Sequence, residues 1–532
     1  MEHRHSANPL LRAASFLVPA AVLIFFVWVG YRGIDFGSHW DETQQVDSVR
    51  ESFRTGTLLP QMYNYPSVTY YLTLSRLLPD IWATVRDVLS SDIGYGTPVR
   101  KEILTPGTGT MTENDFLLQV RSIFIVVTLL SVIWTYLLAL LWRKSRLQAF
   151  IAAALLGSSW EVSYHARWIA PDGILMQFGV LTVLFLIASM ESPTRSRFWL
   201  RCAACAAGVA CGTKYPGGVM LLPALLTYAY LRKRAVAAAA PRTWTEYPVL
   251  VGLFCLSFFI STPGALLQPV YFVYEVKKQM AIYRAGWWSS TVHGGPEHFI
   301  LNVKYLSLVL FSHYWPIALF FSLMVLPGAV SLGKDGIPRV AIFLSAPVIW
   351  LLYLSGQNVM AVRNLLLIAP FMAVLSAEGI GFCGRILKKS AVRTAFLTAV
   401  FGLLVLNAAW LVHAADTIRT RTSIDYRRST YDYLKGHPGA TFLLSDGVRN
   451  LLPGSAGAVL NVSSDPGKAQ EFVFLSNEPF HLKLIGNRRG RYSVIAGDYD
   501  VNFDYYPLWM EPKVVAITVP EAKEMSLLPA GP

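Results

Sequence analysis

"YPSVTYYLTLSRLLPDIWATV", residues 65–85, decides how the rest of the chain is threaded. It is apolar over most of its length, yet Arg76, Asp80 and two prolines divide it into short pieces. If it crossed a membrane, every basic link after it would change sides. Read instead as a helix lying in the membrane interface on the outer face, it places its tyrosines at headgroup depth and leaves the basic links together.

The surrounding composition is that of a chain solvated by lipid. Of 532 residues 54% are hydrophobic and 15% charged, with 13% aromatic, and the mean hydropathy is +0.42. Uncharged runs at Ala13–Val29, Ser122–Trp142 and Phe396–Val412 approach the roughly 20 residues that a ~30 Å hydrocarbon core requires. The first run follows Arg4 and Arg12 but is too long for a signal-peptide core and lacks a small-x-small cleavage site, so it reads as a retained anchor. The five cysteines all fall in apolar segments, which implies no disulfide framework. Around three of them, "RCAACAAGVACG" (201–212) reads as small residues for close helix packing.

A net charge of +13 would suit a nucleic-acid partner, but its placement argues otherwise. Basic residues gather in short links: "WRKSR" (142–146), "TRSRFWLR" (194–201), "LRKRA" (231–235), "KDGIPR" (334–339) and "RILKKSAVR" (385–393). They recur at every second turn of the chain, as cytoplasmic loops do. The pattern predicts a polytopic α-helical membrane protein with its N-terminus inside. About 11 spans follow, near 11–31, 117–142, 147–164, 173–190, 198–213, 216–232, 246–262, 301–327, 338–355, 364–386 and 392–413. A transmembrane module over 1–413 then carries outer loops at 32–116 and 263–300. The first loop holds a second surface helix over 43–55, with Val46, Val49 and Phe53 on one face and Gly56 ending it. The second loop holds a short helix near 270–284 and a mobile stretch at "HGGP", together suited to a lid. Residues 414–532 change character and read as a small extracytoplasmic α/β domain: a helix, a Gly/Pro turn, a buried strand, and further strands at "EFVFLS", "YSVIAG" and "KVVAITV".

Ionisable groups at the outer ends of spans are expensive, and so informative. The scheme collects four sets there: Asp41 and Glu42; Arg167 and Asp172; Lys214; and Arg363. Each has a plain structural reading. Asp41 with Gln44 resembles a capping box, Arg167 and Asp172 can pair with each other, and Lys214 and Arg363 can snorkel. Taken together on one face, a carboxylate among cations suits transfer of a group from a phosphate to a hydroxyl. The carboxylate takes the proton of the attacking hydroxyl, and the cations hold the departing phosphate.

The order of these motifs resembles the GT-C superfamily of membrane glycosyltransferases, in the branch of protein O-mannosyltransferases and lipid A aminoarabinose transferases. The matching pieces are "HWDE" (39–42), "YPSVTYYL" (65–72), "ARWIAPDGIL" (166–175), "AAGVACGTKYPGG" (206–218) and "RNLLLIAP" (363–370), covering residues 10–415 and not the tail. The resemblance implies an inverting glycosyltransferase that moves a hexose or pentose from a polyprenyl-phosphate donor to a protein, lipid or glycan acceptor in cell-envelope biosynthesis. It implies Asp41 as general base with Glu42 in support, Asp172 on the acceptor side, and Lys214, Arg167 and Arg363 toward the donor phosphate, with Tyr65 and Tyr70 at the substrate. It further implies an integral protein of a bacterial inner membrane, facing outward. Two departures, one proline in "YPSVTYYL" where the family often has two and Asn364 in place of an aromatic, bear on the donor sugar and acceptor rather than the reaction. No Asp-x-Asp is present in the outer loops, which favours metal-independence while leaving a divalent metal open, and no cofactor is expected. The alternative class is a transporter or a flippase of lipid-linked sugars. That class asks for polar breaks at the bilayer midplane in repeated halves, whereas here the charges lie at span ends and no repeat is present.

Overall fold

The structure, a computed structural model, describes residues 9–34, 40–55, 57–90, 111, 114–192, 194–237, 244–286, 291–334, 336–419, 423–452, 460–475, 493–496, 514–524 and 528. It falls into two compact units, residues 1–31 with 41–412, and residues 32–40 with 413–532.

The first unit opens with α1 (Pro9–Tyr31), α2 (Trp40–Thr55), α3 (Val68–Ser75) and α4 (Leu78–Ser90), followed by α5 (Asn114–Arg143), α6 (Arg146–Gly157), α7 (Trp160–Ala166) and α8 (Pro171–Glu191). It continues through α9 (Ser196–Thr213), a 3₁₀ turn (Tyr215–Met220), α10 (Leu221–Ala237), α11 (Glu246–Ser261), α12 (Gly264–Leu267) and α13 (Pro269–Ala285). The rest is α14 (Pro296–Leu308), α15 (Trp315–Leu323), α16 (Val325–Gly333), α17 (Ile337–Ser355), a 3₁₀ segment (Val362–Ile368), α18 (Ala369–Ile386) and α19 (Ser390–Arg419).

Among the described residues, six helical stretches are long and apolar enough to cross a membrane: Phe116–Arg143, Pro171–Glu191, Trp315–Gly333, Ile337–Ser355, Val362–Ile386 and Ser390–Asp416. Shorter apolar helices stand at Pro19–Tyr31, Arg146–Gly157 and Glu246–Ser261. The polytopic helical class read from composition holds, and the chain is an integral membrane protein. Burial separates the centre of the bundle from its rim. The windows in Pro171–Glu191 and Val362–Ile386 are 78% and 83% buried, against 22% for Ser390–Asp416. Asp172 and Arg363 therefore stand on the innermost helices.

Several expected spans are interrupted, for local reasons. The span at 147–164 breaks after Gly157, because Ser158 bonds back to the Ala154 carbonyl (2.7 Å) and Ser159 caps the new helix α7 through the Val162 amide (3.4 Å). The span at 301–327 breaks between Leu308 and Trp315, where Pro316 occupies the first turn of α15. The span at 216–232 begins as the 3₁₀ turn, where Gly217 and Gly218 are poor α-helix formers. Small residues act as the sequence suggested: a Cβ on Gly208 would lie 2.3 Å from the Phe254 carbonyl oxygen, so α9 and α11 touch backbone to backbone.

The stretch at 65–85 is not one interfacial helix. It is α3 and α4, separated at Arg76–Leu77. Tyr70 is buried rather than at headgroup depth. It packs with Val49, Phe53, Leu74, Phe116 and Phe124, so α2 and α3 are clamped onto α5. Each such apolar side chain contributes about 1.5–3 kcal/mol on burial. Of α2, α3 and α4, it is α4 whose described residues turn an apolar face outward, with Leu78, Trp82 and Leu89 exposed. The "HGGP" stretch is pinned where mobility was expected: Val292, Gly294 and Gly295 donate to the Asn358 carbonyl, the Asn358 side chain and the Ser355 carbonyl.

In the second unit a four-stranded sheet forms from β1 (Phe442–Leu444), β2 (Glu471–Leu475), β3 (Ser493–Ala496) and β4 (Val514–Thr518), in the order β1-β2-β4-β3. β1 and β2 are parallel and the other pairs antiparallel. Alternate side chains feed a core on each face, Phe442, Leu444, Val473 and Val514 on one and Leu443, Phe472, Val515 and Ile517 on the other.

Candidate active site

Asp41 and Glu42 occupy the first turn of α2, past the cap position. Successive helical residues are 100° apart, so the two carboxylates leave α2 in different directions. Glu42 turns to Arg121 of α5, with bidentate contacts of 3.0 and 2.6 Å, and accepts the Ile169 amide at 3.2 Å. That pair anchors α2 to the centre of the bundle.

Asp41 turns the other way. Its Oδ1 accepts the Tyr65 hydroxyl at 3.3 Å, and its Oδ2 meets Arg363 Nη2 at 2.9 Å. The same guanidinium reaches Asp172 Oδ2 through Nε at 3.3 Å. Asp172, in the first turn of α8, holds Lys214 Nζ at 2.7 Å on its other oxygen. Lys214 also donates to the side-chain oxygen of Asn364. The result is one chain of alternating charge, Asp41–Arg363–Asp172–Lys214, with Tyr65 and Asn364 at its ends. All four ionic side chains are at most 7% exposed. Removing an ion from water costs several kcal/mol, and alternation lets each charge be compensated by its neighbours.

Two electrostatic consequences follow outside the spans. Burial pushes the Asp41 carboxyl up to about 6, with Arg363 opposing the shift, Asp172 adding to it, and Lys214 and the Tyr65 hydrogen bond opposing it. A carboxylate so placed is poised near neutral pH to take up a proton. Burial, and then the Asp41 charge, hold the Tyr65 phenol well above its ordinary value, so it remains a donor.

Of the sequence candidates, Asp41, Asp172, Lys214, Arg363 and Tyr65 come together. Arg167 does not join them: it donates to the carbonyls of Val29 (2.8 Å), Gly30 (3.1 Å) and Ser163 (3.0 Å). It thereby satisfies the open carbonyls at the end of α1. Nor does it pair with Asp172, which is engaged by Lys214 and Arg363. Tyr70 remains in the apolar core.

Beside the chain of charges lies a cavity of about 290 Å³. Tyr65, Lys214 and Asn364 form the part nearest the ion pairs. Tyr215, Tyr283, Trp350 and Tyr353 give it aromatic walls. α13 supplies Val276, Gln279, Met280, Tyr283 and Arg284, a single helical face at spacings of three and four. Sequence reasoning singled out Asn364 only as a departure from the resemblance, and missed Arg121, Arg284 and these aromatics. Among the described residues no group of three or more His, Cys, Asp or Glu is placed to hold a metal.

Residues 96–289, a little over a third of the chain, match the family model described as dolichyl-phosphate-mannose-protein mannosyltransferase. The matched stretch takes in Arg167, Asp172, Lys214 and α13. No curated protein matches the chain. Among solved structures it is similar to ArnT from Cupriavidus metallidurans bound to undecaprenyl phosphate, at 13% identity and a TM-score of 0.49 over 94% of this chain and 97% of that one. It is similar to the archaeal oligosaccharyltransferase AglB from Archaeoglobus fulgidus, in complex with an inhibitory peptide and a dolichol-phosphate, at 12% identity and a TM-score of 0.49 over 88% and 70%. It is also similar to the arabinofuranosyltransferase AftD from Mycobacteria, at 13% identity and a TM-score of 0.42 over 95% and 40%. At such identities and TM-scores these likenesses lend the chain neither substrate nor mechanism. The family match bears out the resemblance drawn from the ordered motifs, and with it the expectation of a glycosyltransferase.

Proposed function

We propose that the chain is an inverting glycosyltransferase that moves a sugar from a polyprenyl-phosphate donor to a hydroxyl acceptor at the extracytoplasmic face of a bacterial inner membrane. The single observation that carries this reading is Asp41. It is a buried carboxylate whose proton affinity is raised to about 6, one hydrogen bond from a cavity bordered by cations.

Tyr65 lines the cavity and donates to Asp41, so an acceptor hydroxyl that takes the place of the phenol meets Oδ1 directly. Asp41 then removes the acceptor proton as its oxygen attacks the anomeric carbon. The bond from that carbon to the phosphate oxygen breaks, and the departing polyprenyl phosphate gains a charge that Lys214 and Arg284, both on the cavity wall, stabilise. A single displacement of this kind inverts the anomeric centre. Arg363 and Asp172 act by positioning, holding Asp41 and Lys214 at the two ends of the ionic chain.

The outward orientation is supported by the helices themselves. Asp172, Lys214 and Arg363 lie at one end of α8, α9 and the 362–386 segment, and the basic links at 194–201 and 385–393 lie at the other end of the same helices. The reading is tested with polyprenyl-phosphate donors and the Lys214→Met and Arg284→Gln variants. Donor affinity is expected to fall about tenfold or more in each, as for a lost charge-assisted hydrogen bond, and the product to carry the inverted anomeric configuration. Unchanged donor affinity in both variants, or a product of retained configuration, would contradict it.

A further inference from the structure

The cavity wall carries charge of one sign. Lys214 and Arg284 face it, the amides of Asn64, Gln279, Gln357 and Asn364 supply its other polar side chains besides the tyrosine hydroxyls and the Trp350 indole, and no Asp or Glu lines it among the described residues. Asp41 and Asp172 lie behind the wall, at most 2% exposed, and both are engaged by Arg363. With Arg284 included, three cations stand against two carboxylates around the site. A donor phosphodiester brings one negative charge, which balances that excess and leaves no anion over.

A sugar hydroxyl both donates and accepts, and so does a side-chain amide, so the two satisfy each other without charge. A sugar ammonium has three donors and no acceptor, and once stripped of water it requires an anion. Aromatic walls can attract a cation, but the Tyr65 ring already has the Lys214 ammonium 5.8 Å from its centroid. A second cation there would meet a like charge.

We infer that the cavity selects a donor whose sugar is uncharged, bearing hydroxyls rather than an ammonium group, an inference that rests on the donor reading above. Selection arises by exclusion: the wall offers the ammonium only like charges and neutral dipoles.

The test uses the full chain in lipid nanodiscs with two polyprenyl-phosphate esters, one of a pentose and one of the same pentose with a hydroxyl replaced by an ammonium. Binding is followed through quenching of the chain's tryptophan fluorescence, Trp350 being on the cavity wall. The ammonium donor is expected to bind at least about tenfold more weakly. Gln279→Glu, which places a carboxylate on the wall, is expected to narrow the gap to about threefold or less. Equal or tighter binding of the ammonium donor by the unaltered chain overturns the inference, as does a gap left unchanged by Gln279→Glu. Binding of neither donor is a separate result, which removes the donor reading together with the inference.

Discussion

Tyr65 is the residue through which the cavity and the buried carboxylate communicate. Its hydroxyl donates to Asp41 and thereby favours the charged carboxylate, lowering the pH at which Asp41 takes up a proton. Since the proposed base is the charged form, transfer is expected to fall as pH drops through about 6. Removing the hydrogen bond raises the Asp41 value, so Tyr65→Phe is expected to move the acid limb of kcat/KM to higher pH. An unshifted limb in a folded, donor-binding variant would separate Asp41 from the rate. Asp41, Asp172, Lys214 and Arg363 were legible in the sequence because ionisable groups beside lipid are costly and stand out. Arg121 was not, since it adjoins the uncharged run beginning at Ser122 and passed for its flank. Arg284 lies on a loop helix where charge is cheap, and Trp350 carries no charge to betray it. Arg167 looked equivalent to Arg363. Only the fold distinguishes a guanidinium spent on backbone carbonyls from one spent on two carboxylates.

At the level of elements, α13 is the wall that can be loosened without touching the ionic chain. Its C-terminal end is tied down by Asn358, whose amide donates to the Tyr283 carbonyl and whose side chain donates to the Arg284 carbonyl and accepts the Gly294 amide. Asn358→Ala removes the two side-chain bonds, a loss of about 1–3 kcal/mol. It is expected to raise the donor KM several-fold while kcat changes little, because Tyr283 and Arg284 ride on that helix end. A fall in kcat at unchanged KM would show that α13 acts on chemistry rather than on donor binding. Helix existence was legible from apolar runs and basic links, but helix continuity was not. The local breaks at Ser158–Ser159 and around Pro316 are also tied to each other by a bond between residues far apart in sequence, Ser159 to the Leu310 carbonyl. The same holds for α3, whose Tyr70 turned inward because α5 offered it an apolar surface.

Across the whole molecule, the first unit has two chemically different ends. One end gathers the basic links into ion pairs: Glu378 is held by Arg143 and Arg385, Glu191 by Lys144 and Arg339, and Glu246 by Arg201. Glu378 also accepts from Gln148 and Ser331, so several helix ends meet on one carboxylate. The other end carries Asp41, Asp172, Lys214 and Arg363 beside the cavity. A chain so built holds its basic ion pairs at one end and the groups proposed to react at the other. Asp41 is proposed as the base at that end. Single-turnover transfer by Asp41→Asn, reconstituted in lipid beside the unaltered chain, measures it most directly. That variant is expected to lose about 10²–10⁴-fold in rate, the usual worth of a general base, with donor affinity within about threefold. Transfer at the full rate by Asp41→Asn would contradict it.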